Sequence, residues 1–290
     1  MRNSGKGIKG LLGVAASALG LFAYGSGILG HSTEQTTNDL LSGLSEVKTY
    51  IVTKVTGVSN ANTQTTATST EKSGTYTLSD GSSINLPTWS LDTYPNYYTV
   101  IGASNINTSG FPTTGAIEYS DLDSLGRTQI AKGSLTYANV EGSYGVRQSF
   151  SSEDDPSGWG NNGKVSIEWT NNKVYNGYFW NRSHLIADSL GGDAERDNVI
   201  TGTRNQNVGG TDQNGGMRYT EKKAQKWLEN NHSGVLYYSA EPIYNGTELV
   251  PRAVIVSMLS SDNSINEKVI VFNNANGYAI DYTNGTYHQE

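Results

Sequence analysis

Few residues of this chain can do chemistry, and their positions narrow the choice. Four histidines occur in 290 residues. His31 follows an apolar run, His232 lies in the polar stretch that ends a helical segment, and His288 sits at the C-terminus, where chains fray. That leaves His184, in Phe179-Trp180-Asn181-Arg182-Ser183-His184-Leu185-Ile186-Ala187-Asp188, where an aromatic strand runs into a polar break and then an apolar segment. A histidine beside an arginine at a strand end suits a base that must meet a phosphate. Imidazole titrates near neutrality, and a guanidinium forks onto phosphate oxygens. A lone histidine in such a spot serves structure more often than catalysis, so it needs partners. Asp197-Asn198-Val199-Ile200-Thr201-Gly202-Thr203-Arg204-Asn205-Gln206-Asn207 supplies amides, and Glu221 follows fourteen residues later. Asn disfavours helix interiors, yet its oxygen suits a hard cation such as Mg²⁺. The same run also reads as an Asn-rich surface turn.

Composition removes several alternatives. Without cysteine there is no disulfide, thiol nucleophile or zinc ribbon, so any metal chemistry falls to oxygen and imidazole. Glu153, Asp154 and Asp155 are the acids to propose for a carboxylate-pair hydrolase of sugars. Adjacent acids before Pro156 are more simply a solvated loop. A surface adhesin or carbohydrate-binding module would explain the abundant Tyr and Asn, but it leaves His184, Asn207 and Glu221 unexplained. The net charge of −7 speaks against a large basic face for nucleic acid, because phosphate neutralisation supplies most non-specific affinity. It does not speak against catalysis: between Arg182 and Lys226 stand seven basic and six acidic residues.

The elements that must position these residues are mostly strands. With 34 Gly, 18 Tyr and only 16% charged residues, the chain is rich in strands and turns. Strands are expected over 76–89, broken at Asp80-Gly81, and over 97–102 and 129–137. A hairpin is expected from 165–169 and 174–179 across Asn171-Asn172, and closing strands over 235–241, 253–259 and 269–272. The clearest helix is 219–231, where Ala224, Trp227 and Leu228 share a face opposite Lys222, Lys223 and Lys226. The expected fold is α+β, a mostly antiparallel central sheet with few helices.

The N-terminal region has a different character. Arg2, Lys6 and Lys9 precede a stretch from Gly10 to Gly30 without a charged residue, the pattern of an export signal or a membrane anchor. A helix is expected over 38–55 from Leu40, Leu44, Val47, Ile51 and Val55, followed by a Thr/Ser-rich linker. The expected organisation is 1–30 signal peptide or anchor, 31–75 helix and linker, and 76–290 the working domain. The protein is thus expected outside the cell, secreted or anchored at the outer face of the membrane.

The stretch from Tyr178 to Asn231 resembles the DNA/RNA non-specific endonucleases of the ββα-metal superfamily, most closely streptococcal secreted DNases and membrane-bound DNA-entry nucleases. The family motif Asp-Arg-Gly-His stands here as Asn181-Arg182-Ser183-His184; Leu185-Ile186, Gly191-Gly192, Asn198-Val199-Ile200, Asn207 and Glu221 follow in order. Outside the site, Leu122-Asp123-Ser124-Leu125-Gly126-Arg127, Pro156-Ser157-Gly158-Trp159 and the C-terminal strands extend the match from about Tyr76 to the end. Asn181 replaces an acid and Ser183 a glycine, which leaves open what fixes the imidazole and implies a position that does not demand positive φ. The resemblance implies a ββα-metal catalytic motif that hydrolyses DNA, with RNA as a second substrate, to 5′-phosphate ends. Its implied cofactor is Mg²⁺, with Mn²⁺ as a substitute, held by Asn207, and Asn205 is the rival ligand. His184 is the implied general base, Arg182 a catalytic arginine, and Glu221 either orients water or moves a proton. Arg204, Asn198 and Lys222 are the expected substrate contacts. No protein partner is implied, and membrane contact runs only through an uncleaved N-terminus.

Overall fold

The computed structural model describes residues 74–290 except Asp212. The apolar N-terminal run, the expected helix at 38–55 and all but the last two linker residues lie outside the described residues. Among those described, no helix is long and apolar enough to cross a membrane.

The described chain opens with a hairpin, β1 (Gly74–Thr77) against β2 (Ser83–Leu86), closed where Gly81 takes φ +80°. Next come β3 (Tyr98–Gly102), β4 (Ile117–Tyr119) and β5 (Ala131–Leu135). The strand expected over 129–137 is shorter because Thr136 caps a helix instead, α1 (Tyr137–Ser143). Only Val140 is buried in that helix, too little for its periodicity to show in the sequence. The expected hairpin is β6 (Lys164–Glu168) with β7 (Val174–Tyr178), and Asn172 turns it at φ 60°. Then β8 (Trp180–His184) pairs antiparallel with β9 (Val199–Thr203), and α2 (Arg204–Val208) leaves β9 directly. The amphipathic helix is α3 (Met217–Asn230). The chain closes with β10 (Leu236–Ile243), β11 (Ala253–Ser260), β12 (Asn266–Phe272), β13 (Tyr278–Asp281) and β14 (Thr286–Gln289).

Six strands form one sheet in the order β3-β12-β11-β10-β5-β4, antiparallel at every junction. Its two faces follow from the period of two in β11. Val254, Val256 and Met258 point to the side covered by Ala224, Trp227 and Leu228 of α3. Ala253 and Ile255 point to the other side, where Leu78, Ile84 and Leu86 of the first hairpin cover them. The first hairpin is therefore part of this core. A third cluster of Ile167, Phe179, Trp180, Val250, Ile280 and Tyr282 fixes the root of β8 to the β6–β7 hairpin and the C-terminal strands.

Candidate active site

β8 and β9 form a two-stranded sheet of their own, so the surroundings must satisfy what a larger sheet would. Trp180 anchors the start: its amide donates to Asn162 Oδ1 at 2.9 Å, Asn162 Nδ2 donates back to its carbonyl, and its indole donates to the Gly285 carbonyl. On β9, the Thr203 amide donates to Asn273 Oδ1 at 2.8 Å and Thr201 Oγ1 donates to the Ser157 carbonyl. Gly202 lies directly opposite Asn181. A Cβ there would stand 2.3 Å from Gln206 Oε1 and 2.7 Å from Ser183 Cβ, so only glycine lets α2 fold against β8. Ser183 is fully buried within a regular strand, with no left-handed backbone to demand the glycine of the family motif.

This packing sets up an ordered chain of amides. Arg204 Nη1 donates to Asn181 Oδ1 at 3.3 Å, and Asn207 Nδ2 donates to the same oxygen at 3.2 Å. A guanidinium only donates, so the Asn181 atom that meets it must be oxygen, and that oxygen then requires the nitrogen end of Asn207. Asn207 Oδ1 is thereby the free end of the amide, and it accepts only a long hydrogen bond from Ser183 Oγ, at 3.4 Å. It is a hard oxygen donor held in place by its own amide nitrogen. Asn205 lies on the other side of the short helix, fully buried, with Nδ2 donating to the Gly209 carbonyl and Oδ1 enclosed without a partner.

His184 ends β8. Its Nε2 is buried without a hydrogen-bond partner, and burial lowers the imidazole from 6.5 to about 4, with the Asp188 charge pulling weakly the other way. The ring is therefore neutral at pH 7, the form a base requires. Glu221, in the second turn of α3, is almost fully buried and accepts from Arg218 Nη1 at 2.8 Å. Burial raises its carboxyl, and Arg218 opposes the rise. Among the described residues no three acids or histidines gather as a metal cluster, so an ion here would rest on amide oxygen and water.

The DNA/RNA non-specific endonuclease family model matches residues 92–288. This chain belongs to that family. It is 37% identical over 239 residues to a deoxyribonuclease of Streptococcus dysgalactiae subsp. equisimilis, covering 66% of this chain and 72% of that protein. The structure of Sda1 nuclease with bound zinc ion is similar at 40% identity and a TM-score of 0.67, over 70% of this chain and 100% of that one. NucA from Streptococcus agalactiae with no metal bound shares the fold at 22% identity and a TM-score of 0.52, over 69% of this chain and 94% of that one. The endonuclease is thus a hydrolase of nucleic-acid phosphodiester bonds.

Other expected residues of the endonuclease sit differently. Arg182 is not a free guanidinium: Nε donates to Asp155 Oδ1 at 2.9 Å, Nη2 donates to the same oxygen, and the group lies 5.0 Å from the Trp159 ring centre and 5.3 Å from that of Phe150. Asp155, read from sequence as part of a solvated loop, is its anchor. Phe150 also lies 5.2 Å from the His184 ring, so Arg182 braces the imidazole through an aromatic neighbour. Asn198 is corrected from a substrate contact to a loop clamp. It is fully buried, accepts from the Ile186 amide, and donates to the carbonyls of Ile186 and Asp193. The amide run is not a surface turn, since Asn198, Asn205 and Gln206 are all fully buried. Lys222 is exposed and donates to Asn214, while Lys223 is paired with Glu267 on the sheet, so the lysine face keeps only Lys222 and Lys226 outward. Sequence reasoning missed Phe150, Trp159 and Asp155, because contacts between distant loops leave no periodic signal.

Proposed function

We propose that the endonuclease is exported and cuts DNA, and RNA beside it, to 5′-phosphate ends, with a divalent ion at Asn207 and His184 as general base. The observation that carries the reading is the hydrogen-bond order that engages the amide nitrogen of Asn207 and leaves its Oδ1 as an acceptor, beside a strand ending in a buried, neutral imidazole. A bound Mg²⁺, with Mn²⁺ as a substitute, would polarise the phosphate and stabilise the charge that develops on it. The zinc ion of the Sda1 nuclease supports a divalent metal in this fold. A single neutral protein ligand leaves nearly all of that charge for the substrate.

The side chains do the remaining work. His184 takes the proton of the attacking water, whose oxygen forms the new bond to phosphorus as the bond to the 3′ oxygen breaks. Arg204, held at Nη1 by Asn181, would offer Nη2 to the phosphate. Arg182 fixes the loop that packs on the base. Glu221, secluded and paired with Arg218, orients water beside the site rather than exchanging protons with solvent. Lys222 and Lys226 face outward where a nucleic-acid backbone can pass. Export rests on the basic N-terminus ahead of the charge-free run. Plasmid DNA incubated with and without EDTA, then with Mg²⁺ or Mn²⁺ restored, tests the metal. Cutting that survives chelation overturns the metal reading, and ends that ligase refuses without prior phosphorylation overturn the 5′-phosphate.

A further inference from the structure

Arg127, Arg182, Arg218 and Arg252 each pair with a carboxylate. Arg204 is held differently. Among the described residues it makes no ion pair; Nη1 donates to Asn181 Oδ1 at 3.3 Å, and Cζ lies 5.4 Å from the centre of the Tyr175 ring. The distinction matters chemically, because a carboxylate fixes a guanidinium but neutralises the charge that a phosphate would meet. An aromatic face attracts the cation through its quadrupole and leaves that charge whole. The phenol registers the contact: burial raises it above its ordinary value, and the Arg204 charge opposes the rise.

The ring is itself fixed by the hairpin that carries it. Tyr175 and Gly177 stand two residues apart on β7 and share a face. A Cβ on Gly177 would come within 2.3 Å of Tyr175 Oη and 2.5 Å of its Cζ, so the ring lies along the strand over the bare glycine. Gly177 takes no positive φ, and space rather than backbone conformation is what calls for glycine there. The Tyr175 hydroxyl donates to the Tyr178 carbonyl at 2.9 Å, and the Trp169 ring lies parallel to within 1° at 6.1 Å between centres. From the other side, the Arg204 amide donates to the Phe179 carbonyl at 3.0 Å, which ties the start of α2 to the end of the hairpin. Ring and guanidinium therefore rest on one hydrogen-bonded frame. Without the ring, a single side-chain hydrogen bond would leave the guanidinium to swing, and a phosphate that binds would have to stop it.

Taking Arg204 as the phosphate contact proposed above, we infer that Tyr175 is a positioning residue of the endonuclease: its ring, laid over Gly177, holds the Arg204 guanidinium in place with its charge uncancelled. Steady-state cleavage of a short DNA duplex by the full-length protein tests it, through kcat/KM of Tyr175→Leu, Tyr175→Phe, Arg204→Gln and the double variant Tyr175→Leu with Arg204→Gln. Tyr175→Leu should lower kcat/KM about fivefold or more, the range of a cation held over an aromatic face. Tyr175→Phe keeps the ring and should recover most of that loss. In the Arg204→Gln background, Tyr175→Leu should add almost nothing, because the ring then has no cation to hold, whereas a ring that served only the fold would cost activity with or without Arg204. If Tyr175→Leu does not fold, Gly177→Ala decides by the same measures, since it pushes the ring off the strand without deleting it. Native kcat/KM in Tyr175→Leu, an equal loss in Tyr175→Phe, or losses that multiply in the double variant would each overturn the inference while the Arg204 contact stands. Native kcat/KM in Arg204→Gln would overturn the phosphate contact itself, and the role of Tyr175 with it.

Discussion

The central sheet and the β8–β9–α2 unit are both buried, by opposite means. The sheet packs Val254, Val256, Met258, Val269 and Val271 against α3, and its side chains ask for nothing beyond shape. The β8–β9–α2 unit buries Asn198, Thr201, Thr203, Asn205 and Gln206, and each needs a partner. Most find one in loop backbone, but His184 Nε2, Arg204 Nε, Asn205 Oδ1 and both ends of the Gln206 amide do not. The difference is one of means: the sheet is held by shape, and the unit beside it is held by polar pairing that leaves several buried groups unsatisfied.

The strongest test of that separation is to remove the chemistry and leave the fold. His184→Ala and Asn207→Ala should each lower the cleavage rate by roughly 10²–10⁴ while the thermal transition moves little. Asn207→Asp should hold metal at least as well yet cut more slowly, because a carboxylate neutralises part of the charge the phosphate needs. Asn205→Ala should do much less to the rate. Rates measured against Mg²⁺ concentration check all four, and a dead Asn205→Ala beside an active Asn207→Ala would move the ligand by two residues.

The converse variant lies in the sheet. Met258→Ala should cost about 2–5 kcal/mol in urea unfolding and leave kcat unchanged under conditions where the protein is folded. A large loss of kcat would mean that the two regions are coupled.

Asn181 sharpens the comparison within the site. Asn181→Asp keeps the acceptor that Arg204 and Asn207 both address, so activity should stay within a few-fold of native. Asn181→Leu removes it and should cost tenfold or more, raising the Mg²⁺ needed for half-maximal rate. Equal activity in both variants would show that the amide of Asn207 needs no orientation.

The imidazole gives a smaller, pH-dependent effect. With a folded value of about 4 against an ordinary 6.5, the unfolded chain takes up the proton first as pH falls. The stability of the neutral, buried ring is therefore whole above about 6.5 and is lost progressively down to about 4. His184→Gln should flatten that part of the stability profile, and the native ring resonances should titrate near 4 by NMR in metal-free protein. Removing residues 1–73 should have the least effect, with DNA cut at the native rate. A soluble but inactive product would place part of the N-terminal region in the fold.

Regular elements were legible because burial imposes a period. The alternation of β11, the stripe of Ala224, Trp227 and Leu228, and the Asn171-Asn172 and Asp80-Gly81 turns all announce themselves locally, and the ordered motif from Asn181 to Glu221 points to the chemistry. What residue types alone left open was direction. The sequence places an asparagine at 205 and another at 207, but only the fold of α2 over Gly202 encloses one and ties the amide nitrogen of the other to Asn181. It places an arginine beside a histidine, but only the loop carrying Phe150, Asp155 and Trp159 decides that this arginine is tied to Asp155 and packed between aromatic rings. Tyr175 and Arg204 lie on different elements, and no local pattern announces their contact. Hydrophobic periodicity is written into neighbouring residues, whereas the pairing of polar groups is fixed only when distant segments meet.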